Sequence, residues 1–449
     1  MNFTLPATSK LRAKAFTFGV ATASFQIEGS SNADGRCESI WDRFCAIPGK
    51  VLNGDNGEPA CDHYRRLEED LDLIQSLGVD AYRFSIAWPR IEPSPGVWNE
   101  AGFVFYERLV DGLIARGIKP FATLYHWDLP QYLEDRGGWI NRETAYRFAR
   151  YADRVSARLG DRVASYATFN EPWCSAFLGY RVGIHAPGLK SDRLGFQAAH
   201  HLLLAHGLAL PALRHNAPNA QHGIVLNVTP SFANSTNADD QWAAEFADEE
   251  NTHTFLQPLL QGRYPTMVFD QHPDWAPTQL ANDLAIMAAP IDFLGINYYT
   301  RSVVEKPDAG DYANVPQEGA KTDIGWAIYP TALTQLLVDL KARYDNLPPI
   351  FITENGAADN SQLIDGAVHD PMRTDYYQQH LNAVDQAIEA GVDIRGYFAW
   401  SLMDNFEWAE GYGQRFGIVH VDYQTQVRTL KTSGKSWQAF LAERQELSL

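Results

Sequence analysis

The sequence predicts one closed (β/α)8 barrel, a TIM barrel, occupying residues 1–449 as a single domain. Three observations predict it. Eight short apolar, strand-like runs recur along the chain; helical patterns lie between most of them; and no Pro/Gly/Ser-rich linker divides the 449 residues. Strands alternating with helices imply a parallel sheet, and eight such units over this length favour closure over two open sheets. A hydrophobic content of 45% against 20% charged residues allows the large core this architecture needs.

The first run, residues 16–21, leads into Ser24-Phe25-Gln26-Ile27-Glu28-Gly29. Residues 64–77 read as an amphipathic helix because Leu67, Leu71, Ile74 and Leu77 recur at helical spacing, and Gly78 stops it. Residues 81–86 form the second strand. Helix 103–116 ends at Gly117, residues 120–125 give the third strand, and helix 144–159 closes at Gly160. The fourth strand, 164–169, delivers Asn170 and Glu171. Residues 223–228, 293–299, 349–353 and 394–402 complete the eight. Two polar inserts, 231–251 and 305–324, follow the fifth and sixth strands, where insertions shape the rim of a barrel's pocket.

The net charge of −18 argues against nucleic acid and anionic membrane surfaces as partners. There is no apolar signal region near the start and no run long enough to span a bilayer, so a cytoplasmic location is expected. Cys37, Cys45, Cys61 and Cys174 read as free thiols. Cys61 and His63 lack a second ligand pair at zinc spacing, so no metal is expected.

Polar residues gather at the C-terminal ends of the predicted strands, where such barrels keep their active sites. Gln26, His126, Asn170, Glu171, Asn297, Tyr299, Glu354, Trp400 and Glu407 all fall at or just past a strand end. Glu171 and Glu354 each stand where an apolar run gives way to a turn. Two rigid carboxyls facing one cavity suit glycosidic bond cleavage: with retention, one is nucleophile and one proton donor, about 5–5.5 Å apart. At that distance their mutual repulsion raises one pKa. The residues alone leave open which glutamate is which; Arg83 could hold one of them ionised, and Tyr299 could hydrogen-bond it. Of 12 tryptophans, Trp127, Trp173, Trp326, Trp400 and Trp408 lie beside the polar cluster, as sugar-stacking platforms would.

Thr168-Phe169-Asn170-Glu171-Pro172 and Ile352-Thr353-Glu354-Asn355-Gly356 resemble the two signature motifs of glycoside hydrolase family 1, the β-glucosidases. The resemblance runs from Phe16-Thr17-Phe18-Gly19 to Thr429-Leu430-Lys431-Thr432-Ser433 and includes Tyr82-Arg83-Phe84-Ser85-Ile86. It implies Glu171 as acid/base and Glu354 as nucleophile, with Arg83, Tyr299 and Asn297 around the latter. It further implies sugar contacts from Gln26, His126, Trp127 and Asn170, stacking on Trp400, outer-hydroxyl ligands in Glu407 and Trp408, and closure by Phe416. Trp173 and Trp326 match positions lining the leaving-group side. Glu407-Trp408 is intact where 6-phosphoglycosidases of the family differ, and Glu171 stands where the thioglucosidases carry Gln. The implied activity is therefore a retaining exo-β-glucosidase acting on small unphosphorylated β-glucosides, with tolerance of galactosides and fucosides and no cofactor.

Each residue has a plainer reading: a capping or ion-paired glutamate, a core histidine, a backbone-capping amide. Only the motif residues escape it. His63, His185 and the run Asp248-Glu249-Glu250 are expected to be solvated and without function. A transglycosylase using the same intermediate and a non-catalytic sugar-binding barrel stand as alternatives, and a homo-oligomer is compatible with the sequence.

Overall fold

The computed structural model describes residues 3–446; residues 1–2 and 447–449, the ends of the expected domain, lie outside the described residues. The eight predicted strands are all present: β1 (Thr17–Ala21), β2 (Ala81–Ser85), β3 (Lys119–Tyr125), β4 (Ser165–Asn170), β5 (Gln221–Asn227), β6 (Phe293–Asn297), β7 (Ile350–Asn355) and β8 (Ile394–Trp400). They close into one barrel in sequential order, every neighbouring pair parallel. β1 completes the ring by pairing with β8 on one side and β2 on the other, Thr17 opposite Gly396 and Gly19 opposite Ala81. A helix follows each strand, from Leu67–Ser76 after β1 to Thr432–Glu446 after β8.

Phenylalanines fill the lumen. Phe121, Phe293, Phe351 and Phe398 meet at ring separations of 5.1 to 5.7 Å and form the floor beneath the strand ends. Such rings fit inside eight strands only if the neighbours are small. Gly396 is one: a Cβ there would lie 2.6 Å from the Phe351 ring and 2.8 Å from the Thr17 carbonyl. Outside the barrel, the helices bury their apolar stripes against the strands' outer faces. Trp437 and Phe440 of the last helix pack on Phe18 of β1, at 5.7 and 5.3 Å.

Three expectations are corrected. The helix expected at 64–77 begins at Leu67. Tyr64 belongs instead to a turn, its ring under the Arg90 guanidinium at 4.1 Å and its hydroxyl donating to Asp34 at 2.7 Å. The polar inserts carry regular structure at the rim: Ser231–Ala233, Ser302–Glu305 and Ala313–Asn314 make a three-stranded sheet, packed by the helix Ala238–Asp248. That packing also buries the acidic run expected in solvent. Glu250 is 1% exposed, paired with Arg181 at 2.9 Å and accepting from Tyr312 at 2.7 Å, while Glu249 is paired with Arg343. His63 is likewise buried, 2.8 Å from Asp70, which also binds Arg428.

Candidate active site

Both glutamate-bearing strands are irregular just where the glutamate emerges. The β4–β5 register shifts between Ala167 and Asn170, and the β7 register shifts beyond Ile352 against both neighbours. Irregularities of this kind re-aim the side chains next to them. Glu171 leaves β4 in the left-handed region, with φ of 48°, while its N–H still donates to the Val225 carbonyl at 2.9 Å. Trp127 and Trp408 also have positive φ, at 77° and 51°. Non-glycine residues held there cost on the order of 1–3 kcal/mol each and persist only where surrounding structure enforces them.

One hydrogen-bonded cluster joins the two glutamates. Arg83 donates from Nη1 to Glu354 Oε1 and from Nη2 to Asn170 Oδ1, both at 2.6 Å. Tyr299 donates its hydroxyl to the other Glu354 oxygen at 2.6 Å. Asn297 Nδ2 donates to Glu171 Oε1 at 2.6 Å and to Asn170 Oδ1 at 3.0 Å, and its own Oδ1 accepts from Thr353 at 2.6 Å. Because Asn170 Oδ1 accepts from two donors, the amide orientation is settled, and Nδ2 faces His126 Nε2 at 3.1 Å. The Cys174 thiol donates to the second oxygen of Glu171 at 3.0 Å.

The electrostatics separate the pair. Burial, then the charge of Glu354, pushes Glu171 up to about 7. Burial also raises Glu354, but the Arg83 guanidinium and the Tyr299 hydrogen bond oppose it. Glu171 is therefore the partner that holds the proton. Glu407 is pushed up to about 8 by burial and then by the charges of Glu354 and Glu171. His126 is held well below the usual histidine range by burial and Arg83, so it is neutral.

These groups open into a cavity of about 670 Å³ at the C-terminal ends of the strands. Of the residues expected there, His126, Trp127, Glu171, Asn297, Tyr299, Trp326, Glu354, Trp400, Glu407, Trp408 and Phe416 line it, with Trp173. Arg83, Asn170 and Gln26 lie one layer beneath, all buried. Gln26 Nε2 donates to the Phe406 carbonyl at 2.8 Å and reaches Glu407 at 3.4 Å, while its Oε1 has no protein partner; neither has His126 Nδ1. A buried polar atom without a partner, such as Nδ1 of the cavity-lining His126, is what a site for hydroxyl-bearing ligands leaves open. Trp127 gives its indole N–H to the Asn170 carbonyl at 2.9 Å and so offers the cavity its ring. Phe25 and Trp41 back Trp408 at 5.8 and 4.7 Å, making that end a thick aromatic wall.

Some lining residues were not anticipated. His185, expected in solvent, packs against Trp127 and Trp41 at 5.5 and 5.2 Å and faces the cavity. Nothing in its sequence neighbourhood announces this. Cys174 had a legible signal, standing three residues past Glu171 in what becomes the π-helical stretch Cys174–Val182; that spacing makes neighbours on a helix. Arg301 enters the lining through the rim sheet. Among the described residues no cluster of metal-ligating side chains occurs.

The family model of Glycosyl hydrolase family 1 matches residues 8–446. The chain belongs to glycosyl hydrolase family 1. Among family 1 relatives it is 53% identical over 434 residues to a beta-glucosidase from an Agrobacterium species, covering 95% of this chain and 94% of that protein. It is 46% identical to a bifunctional beta-D-glucosidase/beta-D-fucosidase from Bifidobacterium breve, covering 96% and 98%. A solved structure of the virulence factor SghA of Agrobacterium tumefaciens, in complex with its substrate analogue salicin, superimposes with a TM-score of 0.94 at 50% identity, covering 98% of this chain and 99% of that one. The family 1 fold, a closed barrel of eight parallel strands, and the assignment as a glycoside hydrolase follow directly. No helix among the described residues is long and apolar enough to cross a membrane.

Proposed function

We propose that this family 1 enzyme is a retaining exo-β-glucosidase, releasing glucose from the non-reducing ends of cellobiose, cello-oligosaccharides and aryl β-glucosides. The observation that carries the reading is the asymmetry of the two glutamates: one cluster, with Arg83 and Tyr299 on Glu354 and the proton on Glu171. A carboxylate held ionised by a guanidinium is a nucleophile; a neutral carboxyl facing the same cavity is a general acid.

Glu354 attacks the anomeric carbon while Glu171 protonates the departing oxygen, giving a glycosyl ester on Glu354. Esterification removes the Glu354 charge, one of the causes of Glu171's raised pKa, so Glu171 then takes a proton from water as that water attacks the ester. Glucose leaves with its configuration retained. Asn297, hydrogen-bonded to both Glu171 and Asn170, keeps the acid and the floor of the site in register.

The sugar lies between the partnerless atoms of Gln26 and His126 and the rings of Trp127, Trp400 and Phe416. Glu407 and Trp408 receive its outer hydroxyls, and Asn170 and Asn297 its inner ones. The aromatic wall behind Trp408 limits that end to one sugar, which favours exo-action. Trp326 and Trp173 flank the leaving group. β-Fucosides and β-galactosides are expected side substrates, because each change there removes about 1–3 kcal/mol of hydrogen bonding and one relative carries the fucosidase name. No cofactor enters the chemistry. Unpaired cysteines fit a reducing, cytoplasmic compartment, and the whole chain acts as one catalytic unit.

The test removes each carboxyl separately. Glu354→Gln is expected to abolish turnover of p-nitrophenyl β-glucoside while leaving the melting curve native. Glu171→Gln is expected to keep the first step on that activated substrate and to be rescued by azide, yielding the β-glucosyl azide by NMR. Full activity in Glu354→Gln, or an α-azide from Glu171→Gln, would refute the assignment. Product analysis at high sugar concentration separates hydrolysis from transfer to an acceptor.

A further inference from the structure

Among the described residues that line the cavity, Arg301 alone is an arginine or lysine, and nothing in the proposed mechanism uses it. Its surroundings are built to hold it in place. The guanidinium lies 3.4 Å over the centre of the Tyr329 ring, with Phe232 at 5.2 Å. Gln317 clamps it at two points, accepting from Nε at 3.0 Å and donating to the Arg301 carbonyl at 3.0 Å. Arg301 has no carboxylate partner among the described residues, and neither terminal nitrogen of its fork has a hydrogen-bond acceptor there.

That is unusual for this molecule. The net charge is −18, and arginines elsewhere are routinely paired with acids, as Arg83 is with Glu354 and Arg181 with Glu250. The cavity itself also carries Glu171, Glu354, Glu407 and Glu410. A guanidinium in the same cavity as four acids, yet held by aromatic stacking and an amide clamp rather than by any of them, keeps its fork free for a ligand. A planar fork with Nε already satisfied presents its two outer N–H groups side by side, the geometry that recognises a carboxylate or another oxyanion.

Arg301 sits at the rim-sheet end of the cavity, beside Ser302 and Asn314, whereas Glu407 and Trp408 occupy the glucose end of the proposed site. We infer that Arg301 is a specificity residue for leaving groups bearing an anionic substituent, a carboxylate above all, and that this enzyme favours β-glucosides of acidic aglycones over their neutral counterparts. The inference rests on the β-glucosidase reading and refines its leaving-group side. Without such a cation, the acids of the cavity would repel an anionic aglycone.

The test compares 4-carboxyphenyl and 4-carbamoylphenyl β-glucosides, which match in shape and differ in charge, on the wild type, Arg301→Met and Arg301→Lys. Taking the ratio of the two kcat/KM values within each protein, and comparing ratios, cancels leaving-group chemistry. In Arg301→Met the ratio should fall about tenfold, the scale of one charge-assisted pair, through KM on the acid substrate, with Arg301→Lys in between. A wild-type-only arm guards against a variant that does not fold. Raising NaCl from about 0.02 to 0.5 M, which shortens the screening length several-fold, should raise KM for the carboxylate substrate and leave that of the amide unchanged. An unchanged ratio in Arg301→Met, equal losses on both substrates, or equal salt responses would overturn the inference and leave the glucosidase reading standing. Inactivity of the wild type on both glucosides would overturn the two together.

Discussion

Glu171 and Glu354 are the same residue type, and their difference comes from what touches them. Glu354 has a guanidinium and a phenol on its two oxygens; Glu171 has an amide and a thiol. The thiol is a weak donor, and it leaves the carboxyl free to hold a proton. The proposed mechanism then needs Glu354 ionised and Glu171 protonated. As pH rises through about 7 the proton on Glu171 is lost, so kcat/KM should fall about tenfold per pH unit on the alkaline side, while the acid limb reports Glu354. A pH profile of kcat/KM with p-nitrophenyl β-glucoside checks this; an alkaline limb beginning well above pH 9 would contradict the proton's placement on Glu171.

Elements deliver these residues by departing from ideal geometry at chosen points. The register shifts at the ends of β4 and β7, and the π-helical stretch that starts at Cys174, turn side chains toward the axis that a regular strand or α-helix would send elsewhere. Below them the barrel floor must stay rigid, and it does so by fitting large rings against missing side chains. Gly396→Ala puts a methyl group 2.6 Å from Phe351 and 2.8 Å from the Thr17 carbonyl. The backbone contact cannot yield, so the substitution should cost about 1–3 kcal/mol, read as a lower denaturant midpoint. Because Phe351 lies in β7, three residues before Glu354, kcat should fall as well.

Across the whole molecule, function is maintained against stability. Glu171 and Glu407 have folded-state pKa values near 7 and 8, above the roughly 4.3 of an unfolded chain. A group raised in this way favours the folded state fully below its unfolded pKa and loses that contribution as pH climbs to the folded value. The protein should therefore lose stability between about pH 4 and pH 8 on their account. Glu407→Gln removes one such group, and should melt higher than the wild type above pH 8, by about 0.5–2 kcal/mol, with the difference vanishing near pH 4. Melting curves across pH for the two proteins check it. The same variant should bind glucosides more weakly, since one of the carboxyl's two accepting oxygens is replaced by an NH2 group that can only donate.

Much of this was legible along the chain. Alternating strand and helix patterns set the barrel, because burial on both faces of a parallel sheet demands apolar runs that helices must cover. The site residues could be placed because strand ends in a barrel converge on one mouth, so Glu171 and Glu354, far apart in sequence, had to face the same cavity. Contacts that depend on side chains meeting across elements were not legible. The Gln317 clamp on Arg301, His185 in the cavity wall and the burial of Glu250 all join residues from separate stretches of the chain. No local pattern encodes them. In the sequence only the family resemblance separated the two glutamates; the physical difference between them turns on desolvation and on contact with one guanidinium, which exist only once the chain has closed.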